Sequence, residues 1–122
     1  MPKQNLRHFT GRITWLQSAD DCFDRRKVTQ GVRRSDDEIA FDCDYSEPGL
    51  PYTYTVALSR TARGVFEGQF TGGRSEEKNT GRVAAREYTN SFGFVLLGKW
   101  TENGAADDWF AEFIYDEPTP KA

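Results

Sequence analysis

The sequence predicts an all-β fold, a small antiparallel meander barrel of about seven or eight strands. Apolar and polar side chains alternate over short runs of the chain, which is typical of half-buried strands. The 122 residues include nine Phe, five Tyr and three Trp but one Met, a composition that favours sheets over helices. The runs are joined by short turn signals rather than by a long crossover. A two-sheet β-sandwich is the alternative architecture, and at most one short helix is expected.

The last run, residues 91–117, predicts a β-hairpin with a defined register. Asn103-Gly104 is a strong two-residue turn signal, because both central residues of a type I′ turn need positive φ. Opposite residues then have numbers that sum to 207, which pairs Phe92 with Tyr115, Phe94 with Phe113, Leu96 with Ala111, Gly98 with Trp109 and Lys99 with Asp108. A slip of one residue would move every side chain to the other face. Gly98 is expected to leave room for the Trp109 indole.

Three earlier runs alternate in the same way, and each has one apolar face. Their apolar faces are Phe9, Gly11, Ile13 and Trp15 in residues 8–16, Ile39, Phe41, Cys43 and Tyr45 in residues 38–45, and Tyr52, Tyr54, Val56 and Leu58 in residues 52–59. Between the first two, a tight turn and a strand over 26–34 compete with a short helix over 19–27. Val28, Thr29 and Val32 favour the strand.

The middle of the chain predicts a second hairpin and a loop. A turn at 60–63 would oppose Leu58 to Phe66 and Tyr54 to Phe70. Residues 71–81 are polar and rich in glycine, and they predict a loop. Residues 82–89 predict a strand with Val83 and Ala85 on one side.

Length and charge limit the class of protein. We expect one domain over residues 1–122, with a loose C-terminal tail at about 117–122. The net charge of -3 argues against nucleic-acid binding, which needs a basic surface. No apolar stretch follows Met1, and no run approaches the ~20 apolar residues of a membrane span. The expectation is therefore a cytoplasmic protein, with Arg33, Arg34, Asp36 and Asp37 as surface charges.

The residue types needed for catalysis or metal binding are sparse. His8 is the one histidine, and no GxSxG motif is present, so no catalytic residue is assigned. Asp42 and Asp44 share a strand face and could support a carboxylate-dependent enzyme. They supply few oxygens for a divalent ion, so no metal or other cofactor is expected. Cys43 lies on an apolar strand face, which predicts a buried free thiol.

The aromatic residues carry the remaining functional hypotheses. A mouth pocket would be lined by Tyr54, Phe66, Phe94, Trp100 and Trp109, although plain core packing explains the same residues. The leading hypothesis is a small binding protein whose barrel accommodates a small apolar ligand or a protein partner. The alternative is an inhibitor, immunity or anti-defence type of interaction protein. A carboxylate-dependent enzyme is the third possibility.

Overall fold

The fold is an eight-stranded antiparallel barrel. The computed structural model describes residues 6–17, 20–44, 53–74, 77–102 and 104–116. Its strands are β1 (Arg7–Gln17), β2 (Cys22–Ser35), β3 (Glu38–Asp44), β4 (Thr53–Ala62), β5 (Val65–Arg74), β6 (Glu77–Thr89), β7 (Gly93–Glu102) and β8 (Ala105–Tyr115). Each strand pairs with the next, and β8 pairs with β1 to close the barrel. The predicted meander barrel is confirmed, and a sandwich is excluded.

The predicted register of the last hairpin is confirmed within its strands. Phe94 pairs with Phe113, Gly98 with Trp109 and Lys99 with Asp108. Phe92 departs from the prediction, because β7 begins at Gly93 and the Phe92 side chain is 74% exposed. The Phe92 carbonyl still accepts a hydrogen bond from the amide of Tyr115 at 2.9 Å. Asn103 and the tail at 117–122 lie outside the described residues, as do Tyr45 and Tyr52.

Asp20 and Asp21, which precede β2, lie in a turn rather than in a helix. The amide of Asp20 donates to the carbonyl of Gln17 at 3.1 Å, and Asp21 has a positive φ of 51°. No helix occurs in the part of the chain that the structure describes, so none there is long and apolar enough to cross a membrane. The turn-and-strand interpretation of this segment is confirmed, although β2 is longer than predicted.

Two predictions for the middle of the chain were wrong. Leu58 pairs with Gly68 and Tyr54 with Gly72, which is two residues away from the predicted register. The cause is a tight turn at Arg63-Gly64, where Gly64 has a φ of +73°, together with a register shift between Arg60 and Ala62. Residues 71–74 and 77–81 are paired strands rather than a loop, because their backbones continue the β5–β6 ladder.

The inward faces of the strands form one core. Apart from the glycines, the predicted inward residues of β1, β3, β4, β6 and β7 are buried there. Gly31 on β2 also faces inward, because the Phe9 ring occupies the space beside it; a Cβ at Gly31 would lie 2.2 Å from Phe9 Cε1. Aromatic rings fill most of the interior, so any ligand space must lie towards an end of the barrel.

Strand direction assigns each turn to one of two ends. The plugged end carries the start of β1, the end of β8 and the β2–β3, β4–β5 and β6–β7 turns. The open end carries the other four connections, including those after Gln17 and Glu102. These two names are kept below.

Candidate functional site

A buried ion pair fills the plugged end of the barrel. Arg33 and Glu87 form a salt bridge, and their side chains are 7% and 6% exposed. The Arg33 guanidinium also donates to the carbonyls of Ser35 and Asp36, at 3.2 and 3.0 Å, and to the hydroxyl of Tyr115 at 3.3 Å. These bonds satisfy a charge that burial would otherwise penalise. The sequence-based assignment of Arg33 to the surface was wrong.

The environment of Arg33 keeps it charged. Burial alone would lower the pKa of its guanidinium, but the hydrogen bond and charge of Glu87, together with Tyr115, raise that pKa above its ordinary value. Arg7 also lies at this end and stacks on Tyr115, with its guanidinium carbon 3.5 Å from the centroid of the Tyr115 ring. The plugged end is therefore a structural closure rather than a ligand entrance.

The open end contains a cavity of about 380 Å³, within the range of small-molecule sites. Its apolar wall consists of Trp15, Tyr54, Trp100 and Ala105. Its polar wall consists of Gln17, Asp24, Glu102 and Asp107. These residues come from β1, β2, β4, β7 and β8, so closure of the barrel is what brings them together.

The aromatic wall is built from rings that meet at right angles. The Trp15 ring lies 5.2 Å from the Trp100 ring at 84°, and the Tyr54 ring lies 6.2 Å from it at 85°. Phe70 stacks on Trp100 with centroids 4.3 Å apart. Edge-to-face packing of this kind fixes ring positions, so the wall is formed before any ligand arrives.

Trp109 supports this wall from beneath. It is fully buried, and its ring centroid lies 5.8 Å from that of Trp100 at 74°. Its Nε1 has no hydrogen-bond acceptor within the described residues. An unsatisfied buried N–H costs about 1–3 kcal/mol, and native proteins keep such costs mainly where function requires them.

Two carboxylates flank Trp100 on the inward face. Asp107 lies directly opposite Trp100, and Glu102 lies opposite Ala105 at the next inward position. Trp100 Nε1 donates to Glu102 Oε1 at 3.2 Å, which fixes that carboxylate beside the indole. Among the basic side chains that the structure describes, none forms an ion pair with either carboxylate. Asp24, by contrast, pairs with Arg26 at 3.1 Å.

The five pocket residues proposed from the sequence divide between the two ends. Tyr54 and Trp100 line the cavity, and Trp109 packs beneath it. Phe94 contacts Phe9, Phe113 and Tyr115 in the other half of the core. Phe66 lies near the plugged end, with its ring 5.7 Å from the Arg33 guanidinium carbon. The structure does not bring Phe66 and Phe94 to the cavity.

The pocket predicted from the sequence did not include Glu102 and Asp107, although the predicted register places both on the inward face. In the 207 register, Glu102 and Asp107 share the inward face with Trp100 and Trp109. A charged residue at an inward strand position breaks the apolar pattern of the core. Trp15 was placed on an inward face but was not connected with the pocket, because the β1–β8 pairing of Trp15 with Trp109 requires barrel closure.

The carboxylates considered for catalysis lie on the outer surface. Asp42 accepts a hydrogen bond from the Thr55 hydroxyl at 2.9 Å, and both Asp42 and Asp44 alternate with the inward residues of β3. Among the described residues, no group of three or more His, Cys, Asp or Glu side chains could hold a metal ion. The absence of a tight divalent site stays a prediction.

The two cysteines are free and differ sharply in environment. Cys22 is exposed and donates to Gln17 Oε1 at 3.1 Å, whereas Cys43 is buried, which confirms its assignment as a buried free thiol. Burial raises the pKa of Cys43 to about 12, so its thiol stays protonated at neutral pH. Between the ordinary value of 9.0 and about 12, only the unfolded chain loses this proton. The contribution of Cys43 to stability therefore falls as the pH rises through that window.

These environments predict selective thiol labelling. Ellman's reagent at pH 8 should modify Cys22 quickly and Cys43 only after unfolding in denaturant, because the reactive species is the thiolate. The Cys22→Ser variant should show almost no fast reaction. Fast modification of two thiols in the folded protein would contradict the buried placement of Cys43.

No known protein aids the assignment of this site. Comparison with protein-family models gave no match, and neither the curated proteins nor the solved structures contain a significant match. The geometry of the open end is therefore the basis for assigning a function.

Proposed function

We infer that the protein binds a small organic ligand in the cavity at the open end of the barrel. The observation that carries this proposal is the combination of a plugged end with an open end whose aromatic walls are held in place. An eight-stranded barrel has room for one small ligand when side chains do not fill it completely. The ligand would place an apolar body against Trp15, Tyr54 and Trp100.

Tryptophan emission tests this proposal directly. The three tryptophans of the chain are in contact with one another at the open end, so their emission reports on this end alone. Titration with the uncharged probe N-phenylnaphthylamine should change the emission with saturation at one site. Ala105→Phe should weaken binding at least tenfold, which corresponds to about 1.4 kcal/mol, because the new ring enters the cavity.

Ala106 supplies the matched control for this experiment. Ala105 and Ala106 are both exposed neighbours in β8, but only Ala105 lines the cavity. Ala106→Phe should leave the affinity unchanged. Equal losses in the two variants, or no saturable emission change in the unmodified protein, would contradict ligand binding at the open end.

A protein-interaction role is the second candidate, and an exposed apolar face favours it. Tyr88, Val95 and Leu97 point outward from β6 and β7 and are 54%, 38% and 51% exposed. Arg86 lies opposite Leu97, and Glu112 lies opposite Val95. The face therefore carries a charge of each sign at its edges. A surface of this kind is self-complementary, so a second copy of this chain is the occupant that fits it.

For this second candidate, sedimentation equilibrium should detect a dimer. Leu97→Lys should convert it to a monomer, because a lysine buried in an apolar interface is left without a partner. Gln69→Lys, at an exposed position on β5, should leave the dimer intact. A monomer throughout the micromolar to millimolar range would exclude this candidate without bearing on the cavity.

A further inference from the structure

We propose that the ligand of the open end is an organic cation, an ammonium group attached to an apolar body. This inference rests on the proposed function, because it specifies the chemistry of the same cavity. It starts from a contrast within the barrel. Inward positions are apolar along most of the strands, but the last inward positions of β7 and the facing part of β8 hold Glu102 and Asp107.

Among the described side chains, the charge of this end is only partly compensated. Asp24 pairs with Arg26, but no ion pair among the described side chains includes Glu102 or Asp107. Both side chains are partly buried, where an opposite charge interacts more strongly than in bulk water. A ligand that brings a positive charge removes this imbalance, whereas an anion would increase it.

The small number of carboxylates favours an organic cation over a metal ion. Glu102 and Asp107 are diagonal neighbours on adjacent strands, a relation that separates their Cα atoms by about 7–8 Å. Calcium needs its oxygen ligands at about 2.3–2.6 Å from one centre, and the described residues contain no cluster of metal-ligating side chains. A substituted ammonium does not need close coordination by several oxygens, so two carboxylates beside an aromatic wall can bind it.

The aromatic wall provides the second group of contacts to the ligand. Trp100 lies between the two carboxylates, and Trp15 and Tyr54 stand perpendicular to it. Ring faces attract cations, and the attraction is strongest for tryptophan. The same rings accept methyl groups and other apolar parts of the ligand. Carboxylates beside perpendicular aromatic rings therefore match a cation with apolar substituents better than a small hydrated ion.

A pair of isosteric probes tests the charge alone. The cation (hydroxyphenyl)trimethylammonium and the uncharged tert-butylphenol have the same shape, and isothermal titration calorimetry gives the affinity of each. The cation should bind about tenfold more tightly, the effect expected of a partly desolvated cation–π and carboxylate contact. The ratio should fall towards one as salt is added, because the site is open to solvent.

Conservative variants test whether the two carboxylates cause the preference for the cation over tert-butylphenol. Glu102→Gln combined with Asp107→Asn should reduce the cation preference severalfold, to the part that the aromatic rings supply, while tert-butylphenol still binds, because Gln keeps an acceptor for Trp100 Nε1. Glu112→Gln, on the outer face of β8, should keep the full preference. An unchanged cation preference in the double variant would overturn the assignment.

The remaining outcomes separate the two proposals. Equal or tighter binding of tert-butylphenol would overturn the cation inference and leave ligand binding at the open end intact. Stoichiometric displacement of the cation by calcium would also overturn the inference, because it would reveal a metal site. If neither of these probes nor N-phenylnaphthylamine binds, the proposed function itself fails.

Discussion

Replacing Arg33 with methionine should lower the free energy of unfolding by about 3–5 kcal/mol. The substitution keeps an apolar chain in the core but leaves the Glu87 carboxylate buried without its cation, with a side chain that is 6% exposed. It also removes the donors that satisfy the carbonyls of Ser35 and Asp36. Urea denaturation measures the effect as a lower midpoint.

The neighbouring arginine and a double variant make this prediction specific. Arg34 is exposed, so Arg34→Met should change the free energy of unfolding by no more than about 0.5 kcal/mol. Arg33→Met combined with Glu87→Leu should recover much of the loss, because a buried ion pair is often replaceable by apolar residues. Equal midpoints for Arg33→Met and Arg34→Met would show that Arg33 is not buried in a closure of the barrel.

Replacing Gly98 with valine should destabilise the barrel by about 1–3 kcal/mol through overpacking. A Cβ at Gly98 would lie 1.9 Å from the carbonyl oxygen of Ala84 and 2.7 Å from Cα of Ala85. These are backbone atoms of the paired strand β6, which cannot move without disturbing the ladder. The atoms nearest this Cβ are therefore not those of Trp109, contrary to the reason that the sequence suggested.

A substitution at Leu97 provides the control for Gly98→Val. Leu97 lies next to Gly98 on β7, points outward and is 51% exposed, so Leu97→Val should leave the midpoint of urea denaturation almost unchanged. An unchanged midpoint for Gly98→Val as well would mean that β6 and β7 can separate enough to admit a side chain.

The fold was predictable where side-chain alternation and turn chemistry agreed. In the last hairpin, the Asn-Gly signal and the aromatic pairs specify the same register. In the β4–β5 hairpin the predicted register was off by two residues. A displacement of two leaves every side chain on its own face, so the apolar pattern cannot detect it. The turn at Gly64, which has a positive φ, and the register shift between Arg60 and Ala62 together decide the pairing.

Arg33 is an inward residue that the local sequence pattern does not predict. Simple alternation from the buried Val28 would point Arg33 outward. The pairing of β2 with β3 shifts between Val28 and Gln30, and this irregularity reverses the faces of the residues that follow. Glu87, its partner, is 54 residues away in the chain, so their pairing depends on the closed barrel.

The candidate site was predictable in part for the same reason. Tyr54 and Trp100 follow from alternation within single strands, and both line the cavity. Phe66 and Phe94 also point inward, but they lie at a different height along the barrel axis from the cavity. Alternation predicts the face on which a residue lies and not its height. Glu102 and Asp107 are inward in the predicted register, yet charged residues are ordinarily assigned to solvent.

Chemical-shift mapping of the indole and backbone amides tests the central claim most directly. The protein, labelled with ¹⁵N, is titrated with (hydroxyphenyl)trimethylammonium. We expect the indole N–H signals of Trp15 and Trp100 to shift with saturation, together with the amides near Glu102 and Asp107. Signals at the plugged end, such as the Arg33 Nε–H, should stay in place. Shifts confined to the outer face around Val95 and Leu97, or to the plugged end, would contradict a ligand site at the open end of the barrel.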